Sequence, residues 1–264
     1  MAFDIAIGQY HHADSVIHRL DPRVKLTLLI VWIATVFCAD TWWGLCLLLA
    51  FLLIVIALSH IAFRVVIKAF APLSFLLIFP LVFNALFINA GMPLVHLGPL
   101  LITDEGLYRG VFMTLRLFEL FLSATILTLT TSPISLTGAI ASMLAPFERF
   151  GVPAAEIAMM ISIALRFIPI LMEDFDRIRK AQTARGAVFD SGGPLRRLRA
   201  LMPLLIPLFA QSFHHAEELA VAMESRCYYG GARRTSYHIL RLGLRDLAAA
   251  CVMLALLIVM IVYL

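Results

Sequence analysis

The stretch "VKLTLLIVWIATVFCADTWWGLCLLLAFLLIVIALS", residues 24–59, decides the fold. It holds two apolar runs, about 24–39 and about 42–59, separated by a short turn around Asp40. A bilayer core about 30 Å thick takes roughly 20 apolar residues as a helix, because lipid offers no partner to exposed backbone groups. The stretch therefore reads as two membrane spans. Trp42 and Trp43 open the second and suit a membrane–water interface. Three further runs follow: about 70–90, interrupted by Pro72 and Pro80; about 107–130; and about 247–264, uncharged after Asp246. Of the 264 residues 62% are hydrophobic and 14% charged, against about 25% charged in a soluble domain. Mean hydropathy is +0.94. The expectation is an all-α integral membrane protein with about five transmembrane helices.

Charge sets the expected orientation. Arg19, Arg23 and Lys25 precede the first span, and Arg64 and Lys68 lie in the 60–69 loop. The 91–106 loop holds Asp104 and Glu105 but no lysine or arginine. Segment 173–245 carries twelve of the 21 lysines and arginines. Cytoplasmic loops collect such residues, so the N-terminus and 173–245 are expected inside and the C-terminus outside. The net charge of +4 acts through this placement. No soluble basic face is separable, so no nucleic-acid partner is expected.

"AAEIAMMISIALRFIPIL", 154–171, is apolar enough to resemble a sixth span. A crossing there would turn the basic 173–245 segment outwards. Glu156, Arg166 and Pro169 would also stand at awkward depths. It reads as part of a long helix at the inner interface. The expected organisation is an N-terminal segment with four spans (1–132), a cytoplasmic or interfacial unit (133–232) and a final span (233–264). The middle unit opens with a short helix between Pro133 and Pro146. A long helix follows from about 154 to Arg185, then a break at Gly192, Gly193 and Pro194. A second long helix runs from about Leu195 to Tyr228, before Gly230 and Gly231. Each is about 45–50 Å long, and Pro203 and Pro207 should bend the second. Leu205, Phe209, Phe213, Ala216, Leu219, Ala220 and Met223 form one stripe along it, with His214 opposite.

Several chemistries find no signature. GxxxxGK[ST], HExxH and GxSxG are absent. Cys38, Cys46, Cys227 and Cys251 form neither CxxC nor a Cys/His cluster, so no zinc site or disulfide framework is suggested. His214 and Glu218 share a helix face at i,i+4, which a wet surface explains without a metal. His11, His12 and His18 read as surface residues. Residues 1–24 lack the apolar core of a signal peptide.

Two phrases in the middle unit repeat one shape: Ala-Gln-Thr-Ala184-Arg185-Gly186 and Ala-Met-Glu-Ser225-Arg226-Cys227. Each sets an arginine between small residues, near the end of a long helix and before a glycine-rich break. A cation at a helix C-terminus suits the macrodipole. A guanidinium fork also binds carboxylates and carbonyls, and small flanks let another surface come close. The residues alone leave both readings open.

"AQTARGAVFD" (181–190), "LRALMPLLIPLFAQSF" (198–213), "HAEELAVAMESRCYYGG" (215–231) and "HRLDPRVKL" (18–26) carry a family resemblance. They resemble the transmembrane T component of energy-coupling factor (ECF) transporters. The similarity runs from Asp14 to about Tyr237 and continues as a final span. Among T components it is nearest to the shared scaffold serving several vitamin-binding subunits. The resemblance implies a non-enzymatic subunit in the cell membrane. Its implied partners are two cytoplasmic ABC-type ATPases, which bind the ATP and magnesium, and a membrane-embedded substrate-binding S component. No cofactor is implied in this chain. Arg185 would enter a groove on one ATPase and Arg226 a groove on the other, with Ala184, Gly186, Ser225 and Cys227 allowing close approach. Cys227 departs from the pattern, where glycine is usual, and would be strained in a left-handed backbone. Apolar faces such as Leu205, Phe209 and Phe213, with Met159, Met160 and Met202, would meet the S component as it tilts. Plain helix packing is the simpler reading of any single methionine. Asp21-Pro22-Arg23 is expected to fix the entry to the first span, Pro22 as a helix-start residue and Arg23 as an anchor.

Two other readings compete. A self-sufficient secondary transporter or channel would want ionisable groups in mid-span; Arg116 and Glu119 are the candidates, and at i,i+3 they could pair with each other. A membrane enzyme acting on lipid-like substrates would want a carboxylate or metal cluster, and none is recognisable.

Overall fold

The computed structural model describes residues 13–70, 74–88, 90–97, 100–151, 153–187, 189, 193–228 and 242–263. Pro72, Gly192, Gly230, Gly231, His11 and His12, which the sequence reading used, lie outside these. The chain forms two compact units, Met1–Ile140 with His238–Leu264, and Ala141–Tyr237.

The first unit holds helices α1 (Pro22–Cys38), α2 (Trp42–Leu58), α3 (Phe63–Phe70), α4 (Ser74–Phe87), α5 (Asp104–Thr130), most of α6 (Pro133–Leu144), and α9 (Leu244–Tyr263). Its core follows helical spacing. On α2 the buried side chains are Leu45, Leu48, Leu52 and Ile56, one narrow stripe. They pack with Trp32 and Val36 of α1, Leu122, Ile126 and Leu129 of α5, and Met253 and Met260 of α9. Trp32 stacks on Phe51 with ring centroids 5.6 Å apart. Trp43 is 82% exposed, as an interface residue should be. Trp42 instead turns inwards and sets its ring edge to face against Tyr108 and Phe112.

Three details depart from the sequence reading. Within the expected span over 70–90 the described helix is α4, 14 residues from Ser74 to Phe87, or about 21 Å. The 60–69 loop is mostly α3, because Val66 buries into the core while Arg64 and Lys68 stay on the outer side. The 91–106 loop contains a two-stranded antiparallel hairpin, β1 (Pro93–Leu97) and β2 (Leu100–Thr103), with Leu97 opposite Leu100. Thr103 then caps α5. Its hydroxyl accepts from the Gly106 amide at 3.2 Å and donates to the Ile88 carbonyl at 2.7 Å. The helix therefore starts at Asp104.

By length and composition α5, α7 and α9 are long enough to cross a bilayer, while α2 and α4 are shorter apolar helices. The three residues Leu107–Arg109, flanked by Gly106 and Gly110, make a G-x-x-x-G face on α5. A Cβ on Gly106 would stand 2.9 Å from the Ile88 carbonyl oxygen, and one on Gly110 3.1 Å from that of Leu81. Small residues here let α4 and α5 approach closely, as membrane helix pairs require.

The second unit contains a 3-10 segment (Ala145–Phe150) and two long helices, α7 (Ala154–Ala184, 31 residues) and α8 (Pro194–Ser225, 32 residues). They are about 46 and 48 Å long. α7 extends past Pro169 and α8 past Pro203 and Pro207, although none of these prolines can donate a helical hydrogen bond.

Candidate docking site at two helix ends

The two arginine phrases fold into the same local structure. Arg185 is the C-cap of α7 (φ −83°, ψ 5°) and Arg226 the C-cap of α8 (φ −93°, ψ 17°). After Arg185, the Gly186 amide donates to the Thr183 carbonyl at 2.9 Å and the Ala187 amide to that of Gln182 at 3.0 Å. After Arg226, the Cys227 amide donates to the Glu224 carbonyl at 2.9 Å and the Tyr228 amide to that of Met223 at 3.0 Å. This paired pattern is the Schellman motif, which satisfies the last carbonyls of a helix. It demands a left-handed residue just past the cap. Gly186 takes φ +88° and Cys227 φ +59°. The strain expected of a cysteine at that position is therefore real.

Ala184, Arg185, Gly186, Ser225, Arg226 and Cys227 are all exposed. Nothing lies within 4 Å of where a Cβ on Gly186 would sit. Among the described residues neither guanidinium has an ion-pair or hydrogen-bond partner. Each sits at the C-terminal end of its helix, so the cation also opposes the negative end of the helix dipole.

One cross-link that sequence reasoning missed holds the two helices together. His215 Nε2 of α8 lies 3.0 Å from Asp174 Oδ2 of α7, with both side chains largely buried. Phe167 packs its ring 6.2 Å from that of His215. The sequence reading weighed only His214 and Glu218 on this helix. A signal existed: Asp174 and His215 are 41 residues apart, the same interval as Arg185 and Arg226. Each arginine thus stands eleven residues beyond its half of the cross-link, about 16 Å along the axis. His214 pairs with Glu218 at 3.2 Å on the wet face, both 62% exposed.

The face of α8 that packs carries Leu204, Leu208, Gln211, His215 and Leu219. Most of the apolar stripe lies outside it. Met202, Leu205, Phe209 and Phe213 are 56, 38, 63 and 74% exposed. On α7, Met160 is exposed and Met159 half-buried. Leu219 and Met223 of the same stripe are half-buried, while Ala216 and Ala220 are exposed.

Within the first unit the "HRLDPRVKL" phrase ties three helix ends together. Asp21 caps α1, its carboxylate accepting from the Arg23 amide at 2.9 Å, with Pro22 in the first turn. The Asp21 amide donates to Asp246 Oδ1 of α9 at 2.9 Å. Buried Lys25 donates to the Thr130 carbonyl at the end of α5 at 2.9 Å. An ammonium there satisfies an orphan carbonyl and complements the dipole. The start of α1, the end of α5 and the start of α9 therefore share one side of the unit. Arg116 and Glu119 do not pair, contrary to the i,i+3 expectation. Arg116 reaches the Ala39 carbonyl and lies 3.4 Å from Asp40, bracing the α1–α2 turn. Glu119 is fully buried, with neither oxygen hydrogen-bonded among the described residues.

Comparison with known proteins agrees with this architecture. The family described as cobalt transport protein (CbiQ) matches residues 13–237. Proteins named "Energy-coupling factor transporter transmembrane protein EcfT" are similar over nearly their whole length. That of Thermosediminibacter oceani is 50% identical over 246 residues, 93% of this chain and 92% of that protein. That of Acidaminococcus fermentans is 44% identical, covering 97% and 95%. That of Brevibacillus brevis is 42% identical, covering 98% of each. Long apolar helices and these relatives define the class, a membrane-embedded transport component. Within that class, the chain belongs to the family of T components of energy-coupling factor transporters.

Proposed function

We propose that this T component joins two cytoplasmic ABC-type ATPases to a membrane-embedded substrate-binding S component. Arg185 docks on one ATPase and Arg226 on the other. Ala184, Gly186, Ser225 and Cys227 keep each tip slim enough to enter a groove. The observation that carries this reading is the shared Schellman geometry, which presents at the end of each long helix a guanidinium with no partner among the described residues. Two equivalent contacts suit a pair of similar ATPases better than one contact would. ATP and magnesium belong to those partners, and this chain supplies no catalytic group. Helices of about 46–48 Å, cross-linked by His215 and Asp174, transmit movement from tip to membrane. The exposed Met202, Leu205, Phe209 and Phe213, with Met159 and Met160, offer the S component an apolar surface that tolerates re-packing. The positive-inside rule sets the tips and the N-terminus in the cytoplasm, α7 at the inner interface, and the C-terminus outside.

Arg185→Ala with Arg226→Ala should abolish ATPase co-purification and coupled uptake while membrane insertion persists. Each single variant should retain partial ATPase binding. Full uptake by the double variant would overturn the proposal. Uptake by this chain alone in liposomes, without ATPases, would favour a secondary transporter instead.

A further inference from the structure

The first unit contains an apolar groove of about 480 Å³ among α1, α2, α5, α9 and the segment preceding α1. Trp32, Phe51, Leu52 and Met253 line it, with Ala248 and Ala249 on the α9 side. Lys25, Thr130 and Arg245 line the end where the start of α1, the end of α5 and the start of α9 converge. Lys25 and Thr130 are buried there, and the exposed Arg245 marks the mouth. By the positive-inside rule this end of the spans lies at headgroup level.

The charges at the mouth are unequal in availability. Lys25 is committed to the Thr130 carbonyl. Asp246 accepts from the Asp21 and Gly243 amides, and Asp21 from Arg23. The Arg23 Nε is buried without a partner. Arg245 is exposed and, among the described residues, has no ion pair or hydrogen bond. Of the groove's two cations, Lys25 and Arg245, only Arg245 is uncommitted, and the nearby carboxylates of Asp21 and Asp246 are already hydrogen-bonded. An apolar slot with a spare cation at its interfacial end fits an amphiphile with an acyl chain and an anionic head.

We propose that this groove binds an anionic phospholipid, its acyl chain between α1, α2 and α9 and its phosphate at Arg245. Zwitterionic lipid shares the tail but lacks the net negative charge, so selectivity resides in Arg245. The inference is independent of ATPase docking, because none of these residues belongs to the second unit.

The test uses the full chain purified in mild detergent and exchanged with equimolar phosphatidylglycerol and phosphatidylcholine, with retained lipid measured by native mass spectrometry. Wild type should retain phosphatidylglycerol about five-fold over phosphatidylcholine, the increment one arginine contributes at a charged lipid surface. Arg245→Gln should bring the ratio to about one, and Arg245→Lys should restore most of it. Ala249→Trp, which fills the groove, should lose both lipids while Arg245→Gln still holds either. A wild-type ratio near one, or an unchanged ratio in Arg245→Gln, would overturn the proposal. So would a photo-crosslinker at Val252 that captures a protein subunit, rather than lipid, in the assembled transporter.

Discussion

Cys227 offers a sharp test of the helix-end geometry. It holds φ +59° where the matching position of the first phrase has glycine at φ +88°. A side chain in the left-handed region costs about 1–2 kcal/mol. Replacing it with glycine removes that cost but adds about 0.4–1 kcal/mol of unfolded-chain entropy. The net gain from Cys227→Gly is therefore about 0.5–1 kcal/mol, a two- to five-fold change at about 1.4 kcal/mol per decade. Gly186→Ala should show the opposite sign and similar size, since open space around the new Cβ leaves only backbone strain. Hydrogen exchange of the capping amides reads both. In Cys227→Gly, the Arg226 and Tyr228 amides, which donate to the Met223 carbonyl, should exchange about two- to five-fold more slowly. In Gly186→Ala, the Arg185 and Ala187 amides should exchange faster by the same factor. Cys227→Ala keeps the strain and should match wild type. If Cys227→Ala slows exchange as much as Cys227→Gly, the thiol and not the backbone is responsible, and the strain argument fails.

Other outcomes follow from the packing. Asp174→Ala should weaken the α7–α8 contact by about 1–2 kcal/mol. His215→Ala should cost the same, and the double variant no more than either, as measured by a thermal double-mutant cycle. Lys25→Met keeps the stem but strands the Thr130 carbonyl and leaves Asp246 without its nearby cation. It should cost about 2–4 kcal/mol, seen as a lower melting temperature; an unchanged melting temperature would refute the three-end tie. Gly106→Ala should destabilise by about 1–3 kcal/mol, because the Cβ meets carbonyl oxygens at 2.9 and 3.0 Å. Gly138→Ala, with nothing within 4 Å, should instead stabilise α6 by about 0.5–1 kcal/mol in the same melting assay.

What could be read from the sequence was local. The apolar runs marked α1, α2 and α9 because each is nearly continuous, and α5 because only Arg109, Arg116 and Glu119 interrupt its run. Proline at 22 announced a helix start, and the small-Arg-small phrases announced helix ends. The misses arose where distant residues decide. Residues 60–69 are polar enough for a loop, yet Val66 finds the core and makes α3 worth forming. The hairpin of β1 and β2 has too few residues for a clear alternation. Arg116 was assigned the nearest acid in sequence, but the α1–α2 turn brings it a carbonyl and Asp40 instead. The bond between His215 and Asp174 joins helices whose pairing no single stretch encodes, although the repeated interval of 41 residues hinted at it.

That interval has a geometric consequence. An α-helix advances 100° per residue, so eleven residues complete three turns and about 20° more. Arg185 therefore emerges at nearly the same azimuth as Asp174, and Arg226 at nearly the same azimuth as His215. Rotation at the fastening point is delivered to both tips in step and with equal radius. One inserted residue in either arm would swing its tip by about 100° while lengthening it by only about 1.5 Å. The spacing thus acts as an angular register, and it tolerates substitution along the arms far better than any change in their length.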